Sequence, residues 1–280
     1  MADVVQPATF RTARKPSWWS TSDLPPFAIS LVLILLAWEG IVRALHVREI
    51  ILPAPSAIIG SFIAQLASDP RSTHSLYFHF AVTLGEAVAG FLAGGLIGIV
   101  LGTVIAQFKI TERILMPYIV GIQGLPKVAL APLFVVWFGF GFTPKFVLAL
   151  TATFFPVIIN AIAGFKSVER DRIDMMRSIG ASRWQTFTLM SFPSALPFIF
   201  AGLEIAVSHA MLAALVGEFV GSAAGLGYLL QNVNQSLDIA AEFVVMLLLA
   251  AVGIALYRIV VAVKHRVIAW APEASQLSKA

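Results

Sequence analysis

Several ionisable residues lie within or beside strongly apolar stretches of the sequence. Glu39 interrupts the first such stretch, Glu86 and Glu204 lie in later ones, and Lys127, His209 and Glu218 are the ones considered for function. A charged Lys at the centre of a lipid-facing helix costs about 2.5–3.5 kcal/mol, so such residues usually face a cavity, a carbonyl or an opposite charge. Lys127 and Glu218 are therefore candidates for contact with a polar solute in a translocation pathway, with structural pairing as the alternative. His209 stands alone, which is typical of a structural hydrogen-bond donor.

The motifs of common hydrolytic enzymes are missing from the sequence. No G-x-x-x-x-G-K-[ST], G-x-S-x-G or H-E-x-x-H segment occurs, so neither ATP hydrolysis by this chain alone nor zinc proteolysis is expected. The chain has no Cys, which excludes thiolate catalysis. Ser208 and His209 leave an intramembrane hydrolase open, although adjacent helical residues point to different faces. We predict no catalytic residue, no metal site and no cofactor bound by this chain.

The composition indicates a membrane protein. Of the 280 residues, 59% are hydrophobic and only 12% are charged, which is too apolar for a soluble globular protein. The net charge of +4 could favour nucleic acid, but the 19 Lys and Arg residues are scattered among apolar runs rather than gathered in a stripe. Membrane lipid is therefore the expected surroundings, and nucleic acid is not an expected partner.

Apolar runs of spanning length predict an all-α polytopic membrane protein with about six transmembrane helices. Pro and Gly residues interrupt the third run, which predicts a kinked or unwound helix there. The runs cover residues 27–45, 80–106, 113–138, 145–165, 192–216 and 241–263. The chain then divides into a tail (1–26), a first span with an extracytoplasmic segment (27–79), a five-helix core (80–264) with a polar loop (166–192), and a second tail (265–280).

The distribution of basic residues predicts the orientation of the spans. Six spans place both termini on one side, and most Lys and Arg residues outside the spans lie on that side, together with loop 166–192. The opposite side carries only Arg48 and Arg71 away from the span edges. Because cytoplasmic loops are enriched in Lys and Arg, both termini and the polar loop are expected in the cytoplasm.

Two glycine patterns stand out in the apolar runs. Gly90, Gly94, Gly98 and Gly102 recur every four residues and predict a strip of exposed backbone against which another helix can pack closely, either within the chain or at a subunit interface. A second glycine-rich segment, 221–227, follows Glu218. It is interpreted as an outer gate or re-entrant turn, or as a loop without a gating role.

The polar segment 174–193 reads as helix, glycine and helix. Helix-favouring residues run from 168 to 179, Gly180 interrupts them, and Ser182 can cap a second short helix. Pro193 opens the next apolar run, where the first-turn N–H groups lack partners in any case. Such a compact loop suits docking onto another protein, although its Arg residues could equally be solvated charges on the cytoplasmic side.

Segment 174–193 resembles the cytoplasmic coupling loop of type-1 ABC transporter permeases, whose pattern is E-A-A-x-x-x-G-x9-I-x-L-P. Gly180 and Pro193 occupy the two fixed positions, whereas Asp174, Met175 and Met176 replace the Glu and the two Ala residues. The stretches LPAPSAI (52–58), LPKVALAPLFVVWFG (125–139), GASRWQTF (180–187) and EFVGSAAGLGYL (218–229) are similar to the nitrate, sulfonate and taurine branch of that family.

The resemblance implies a type-1 importer permease fold in a bacterial inner membrane, with partners that supply the energy and the substrate. Separate cytoplasmic ATPase subunits would bind ATP and Mg, an extracytoplasmic binding protein would deliver substrate, and a second copy of the chain would complete a homodimer. The cargo would be a small anionic solute, with a heteroaromatic vitamin precursor of pyrimidine or riboflavin type as the alternative. An ATP-independent channel or carrier also remains open. The implied coupling residues are Asp174, Met175, Met176, Arg177, Gly180, Arg183, Trp184 and Pro193.

Overall fold

The computed structural model describes residues 24–270, and within that range every regular element is a helix. The chain divides into two compact units, Met1–Ala57 and Ile58–Ala280. The tails 1–23 and 271–280 lie outside the described residues. The helices are α1 Leu24–Ala44, α2 Pro55–Leu66, α3 Leu76–Gln107, α4 Lys109–Gln123, a 3-10 turn Lys127–Leu130, α5 Ala131–Phe138, α6 Phe142–Lys166, α7 Arg170–Ser178, α8 Arg183–Thr186, a π-helical turn Phe187–Ser191, α9 Phe192–Gly221, α10 Leu226–Gln235 and α11 Ile239–Val267.

In the first unit, Glu39 joins α1 to the start of α2. Its carboxylate pairs with Arg43 one turn later at 2.6 Å and accepts hydrogen bonds from the backbone N–H and the hydroxyl of Ser56, at 3.0 and 2.8 Å. The polar residue that interrupts the first predicted span therefore has a local structural role. α1 is the helix that corresponds to that span.

The second unit contains the helices that could cross a membrane. Among the described residues, α3, α6, the run Arg183–Gly221 and α11 are each long and apolar enough to do so. A fifth span is possible if α4 and residues 127–138 form one crossing, which is bent by 80°. The prediction of an all-α polytopic membrane protein is confirmed, and the bend lies in the third predicted span, between Gly124 and Pro126.

The core of this unit is built around α6. Leu148, Val157 and Ala161 are fully buried there, between α3 and α9. The four glycines of the α3 strip lie directly against α6. A methyl group added at Gly98 would approach Val157 to 3.0 Å, and one added at Gly102 would approach Ala161 to 2.7 Å. The strip thus packs within the chain, because only glycine lets the two helix backbones come this close.

Candidate functional site

The polar segment between α6 and α9, residues 170–193, forms a structure that we call the elbow. α7 ends at Ser178, and Gly180 follows it with a φ of +78°. The amides of Gly180 and Ala181 donate to the carbonyls of Arg177 and Met176, both at 3.0 Å. No atom lies within 4 Å of the position of an added Cβ at Gly180. Glycine is therefore favoured here by the left-handed backbone that terminates the helix rather than by crowding.

The second arm of the elbow starts with a capping box. The Ser182 hydroxyl accepts a hydrogen bond from the Gln185 amide at 3.2 Å, and the Gln185 side chain accepts one from the Ser182 amide at 2.8 Å. These reciprocal bonds satisfy two amides at the start of α8 that have no helical partner. The four residues of α8 continue through the π-helical turn directly into α9.

The elbow exposes large apolar side chains at its surface. Ile179 and Trp184 are both 72% exposed and Leu189 is 70% exposed. The ring of Trp184 stacks on Phe187 at 5.7 Å between centroids, and Phe187 in turn stacks on Phe165 of α6 at 5.9 Å. An exposed apolar surface that is braced from behind by aromatic rings is typical of a protein docking site.

The charged residues of the elbow are exposed and make only local contacts. Arg177 pairs with Asp174 at 3.1 Å, one helical turn away, and the side chains of both are more than 60% exposed. Arg183 is exposed at the start of α8, Met175 is also exposed, and Pro193 is half-buried. Surface pairs of this kind contribute about 0–1 kcal/mol, so they leave the charges available to a partner.

Lys127 begins the 3-10 turn at the bend between α4 and α5. Its ammonium donates to the Gln123 carbonyl at 2.8 Å and lies 5.3 Å from the centroid of the Phe155 ring. Within the described residues it forms no ion pair, and the neighbouring titratable group is the exposed His209. Three other lysines differ, because each is paired with a carboxylate: Lys145 with Glu86, Lys166 with Glu112 and Lys264 with Glu204.

Glu218 is buried near the end of α9, with 1% of its surface exposed. One carboxylate oxygen accepts a hydrogen bond from the Thr83 hydroxyl at 2.6 Å, and the other accepts from the Gly227 amide. The structure therefore connects Glu218 to α3 and to the start of α10, and it does not bring Glu218 together with Lys127. Gly225 and Gly227 are needed because the Glu218 carboxyl occupies the space that a Cβ would take.

Sequence reasoning missed three residues that surround Glu218, namely His79, Thr83 and Lys145. All are at most 3% exposed. The spacing of His79, Thr83 and Glu86, by four and then three residues, places them on the same face of α3 as the glycine strip. This periodicity could have predicted that His79 and Thr83 face the packed side of α3. Lys145 gave none, because it stands at the edge of its apolar run.

The described residues contain no group of three or more His, Cys, Asp or Glu side chains that could hold a metal ion. Ser208 and His209 are both exposed, and no hydrogen bond between their side chains is seen within the described part of the chain. The arrangement that a serine hydrolase needs, in which a base accepts the nucleophile's proton, is therefore not formed by this pair.

Comparison with known proteins identifies the chain's relatives. The family model for the binding-protein-dependent transport system inner membrane component matches residues 94–269. The riboflavin transport system permease protein RibX of Chloroflexus aurantiacus is 33% identical over 90% of this chain and 91% of its own length. The taurine transport system permease protein TauC of Escherichia coli is 30% identical over 80% and 82%. A crystal structure of an amino acid ABC transporter shares the fold, with a TM-score of 0.52 and 17% identity over 75% of this chain and 94% of that one.

Proposed function

Because this chain belongs to the family of binding-protein-dependent transport inner membrane components, and is thus the permease component of an ABC importer, we propose that ATPase subunits dock at the elbow and that the cargo is a small anionic solute. The permease is an integral inner membrane protein of a bacterium and not a catalytic enzyme. The observation that carries the docking proposal is the exposed apolar surface formed by Ile179, Trp184 and Leu189.

The elbow would couple ATP hydrolysis to transport by rigid contact. Met175, Met176 and Trp184 would insert into a cleft of the ATPase, while Arg177 and Arg183 would meet acidic groups at its rim. ATP and Mg would be bound by the ATPases and no cofactor by this chain. Closure of two ATPases would then move the attached helices as rigid bodies, so that the permease changes between inward-open and outward-open states.

The remaining partners follow from the same assignment. A second copy of the chain would complete the pathway as a homodimer, and an extracytoplasmic binding protein would deliver the solute. The excess of Lys and Arg around the elbow supports a cytoplasmic position for the elbow and for both termini. Since the chain has no Cys, a single Ser178→Cys variant tests this orientation in intact cells. Labelling by a membrane-impermeant thiol reagent added outside would contradict it.

The docking proposal is tested at Gly180 with the permease and its ATPase in vesicles. Gly180→Glu places a charged side chain at the docking surface and an unfavourable residue at positive φ, whereas Gly180→Asn keeps a residue that tolerates this conformation. We expect Gly180→Glu to abolish ATP-driven uptake with normal membrane insertion, and Gly180→Asn to retain most of it. Unchanged uptake by Gly180→Glu would contradict docking at the elbow, and uptake without ATP would favour a channel or carrier.

Lys127 supports an anionic cargo, because its ammonium lies at the bend of the third predicted span, beside His209 and without a carboxylate partner among the described residues. Glu218 is buried and would act on the pathway only through the packing of α9. Lys127→Met should reduce uptake of a sulfonate by roughly ten- to a hundredfold, the equivalent of one charged hydrogen bond of about 1.5–3 kcal/mol. Lys127→Arg should preserve it. Normal affinity and rate in Lys127→Met would remove Lys127 from the pathway.

A heteroaromatic cargo is the second candidate, since RibX is named as a riboflavin permease and TauC as a taurine permease. The names of these relatives carry this candidate, because the Phe155 ring beside Lys127 is buried in the core. Uptake assays with taurine, riboflavin and a pyrimidine, each with the cognate binding protein present, separate the two. Lys127→Met should impair the taurine assay more than the riboflavin assay if the anionic proposal is correct.

A further inference from the structure

A second group of charged residues lies at the end of the spanning helices opposite to the elbow. It consists of Glu86 on α3, Lys145 on α6 and Glu218 on α9, which we call the carboxylate cluster. Each of the three residues is at most 3% exposed. The Lys145 ammonium pairs with one oxygen of Glu86 at 2.5 Å and donates to the Ser222 hydroxyl at 2.9 Å. The transport function described above makes no use of this cluster.

Both oxygens of Glu218 are hydrogen-bonded. Thr83 has a single hydroxyl hydrogen and two acceptors within its reach, Glu218 at 2.6 Å and the His79 carbonyl at 3.2 Å, while the Thr83 oxygen accepts the Leu226 amide at 2.7 Å. The Gly227 amide donates to the other oxygen of Glu218. When Thr83 donates to Glu218, the carboxylate accepts two bonds and is stabilised in its ionised form; when Thr83 donates to the His79 carbonyl, Glu218 can carry a proton itself.

One carboxylate oxygen of Glu86 lacks a hydrogen-bond partner among the described residues. Its Oε2 is buried and receives no hydrogen bond from any donor in the described part of the chain. The same carboxyl lies within hydrogen-bonding reach of the Glu218 carboxyl. Two ionised carboxylates in this position would repel each other, and with Lys145 as the single ammonium the cluster would carry a net charge of −1 in the interior.

We propose that the carboxylate cluster is a proton-binding site, in which Glu86 and Glu218 share one proton in a hydrogen bond between Glu86 Oε2 and the Glu218 carboxyl. The proton supplies the missing donor, replaces the repulsion by a hydrogen bond and makes the cluster neutral. Glu86 Oε1 still accepts from Lys145, and each oxygen of Glu218 has a free lone pair for the additional bond. No other co-reactant is needed, since the proton comes from water.

Other ionisable groups around the cluster do not supply the missing charge. Nδ1 of His79, on α3, accepts the Gly225 amide at 3.0 Å, so this imidazole is neutral with its hydrogen on Nε2. Tyr228, on α10, packs its ring against His79 at 5.7 Å. Glu242, at the start of α11, is bonded to Asn234 instead.

The proton would control the turn between α9 and α10. Three successive amides of this turn, those of Gly225, Leu226 and Gly227, donate to His79, Thr83 and Glu218 respectively. If the proton left, repulsion from Glu86 would push Glu218 away from the turn. The hydrogen bonds that hold the turn would then weaken. Water can reach the site through an open cleft that is lined by Gly85, Glu86, Lys145 and Ser222.

Infrared difference spectroscopy of the full-length protein in lipid nanodiscs tests the proposal directly. The protein should show the carbonyl stretch of a protonated carboxylic acid at neutral pH. Glu86→Gln and Glu218→Gln should each lose this band, because either change leaves one carboxylate to pair with Lys145 and no proton is needed. Glu204→Gln, which alters the intramembrane pair with Lys264, should keep the band and serves as the matched control.

A stability measurement gives the second readout. Thermal stability of the unmodified protein should fall as the pH rises and the proton is lost, whereas Glu86→Gln, which is neutral at every pH, should lack this alkaline decline. Absence of the acid band at neutral pH, or its persistence in both Gln variants, would overturn the proposal. A band that is absent while stability depends on the sodium concentration would instead assign a metal cation as the compensating charge.

Discussion

The elbow and the carboxylate cluster occupy opposite ends of the same helices and are built in opposite ways. In the elbow, hydrogen bonds join residues three to five positions apart, as between Ser182 and Gln185, and apolar side chains are exposed. In the cluster, they join residues 135 and 146 positions apart, as between Thr83 and Glu218 and between His79 and Gly225, and polar groups are buried.

The difference shows which region depends on another molecule. Exposed Trp184 and Ile179 leave apolar area that no described part of the chain covers, which agrees with the proposal that a partner docks there. Both oxygens of buried Glu218 are hydrogen-bonded to groups of this chain, so the cluster is held by internal contacts. Substitutions in the cluster should therefore change folding, and substitutions in the elbow should change association.

The largest expected effect is in the cluster. Glu218→Ala leaves the Gly227 amide without an acceptor, leaves the Thr83 hydroxyl to donate only to the His79 carbonyl at 3.2 Å, and opens a cavity beside the buried Lys145–Glu86 pair. Removal of one member of a buried charged network costs about 3–5 kcal/mol, so the yield of folded protein should fall sharply. Fluorescence-detected size-exclusion chromatography measures this yield. Glu204→Ala, at a partly exposed pair, is the matched control and should lose much less. Equal loss in both would mean that the cluster has no special role.

The glycines of the two regions give an intermediate and more selective test. Gly225→Ala meets both a φ of +109° and the Glu218 carboxyl, and overpacking of this kind costs about 1–3 kcal/mol in addition to the backbone strain. Gly180→Ala meets open space, so only the strain of about 1–2 kcal/mol remains. Thermal unfolding of the two variants should rank Gly225→Ala as the less stable. The reverse order would contradict the contrast between a crowded and an open turn.

The smallest effects are expected among the exposed side chains of the elbow. Trp184→Ala should weaken binding of the ATPase by about 2 kcal/mol, as at the centre of an interface, without changing thermal stability. Arg177→Ala removes an exposed pair and should change binding by about 0.2–1 kcal/mol. Titration of ATPase against permease in nanodiscs measures both. A larger loss from Arg177→Ala than from Trp184→Ala would move the centre of docking to the charged rim.

The same contrast explains what could be predicted from the sequence. The helix, glycine and capped helix of the elbow follow from residues close together in the chain, and so do the apolar runs and the bend near Pro126. The cluster was not predicted, because His79 and Thr83 meet Glu218 only after α3 packs against α9. Lys145 was placed at the edge of a span, but α6 begins at Phe142 and buries it.

One uninterrupted helical run, Arg183–Gly221, contains 39 residues and carries Trp184 near its first end and Glu218 near its last. At about 1.5 Å per residue it is about 58 Å long, roughly twice the thickness of the hydrocarbon core of a bilayer. Pivoting such a rod by about 5° at one tip would sweep the other tip through about 5 Å. A small tilt imposed by an ATPase at one end of the helix would thus produce a larger displacement at the other end. No rearrangement of side chains along the helix would be needed.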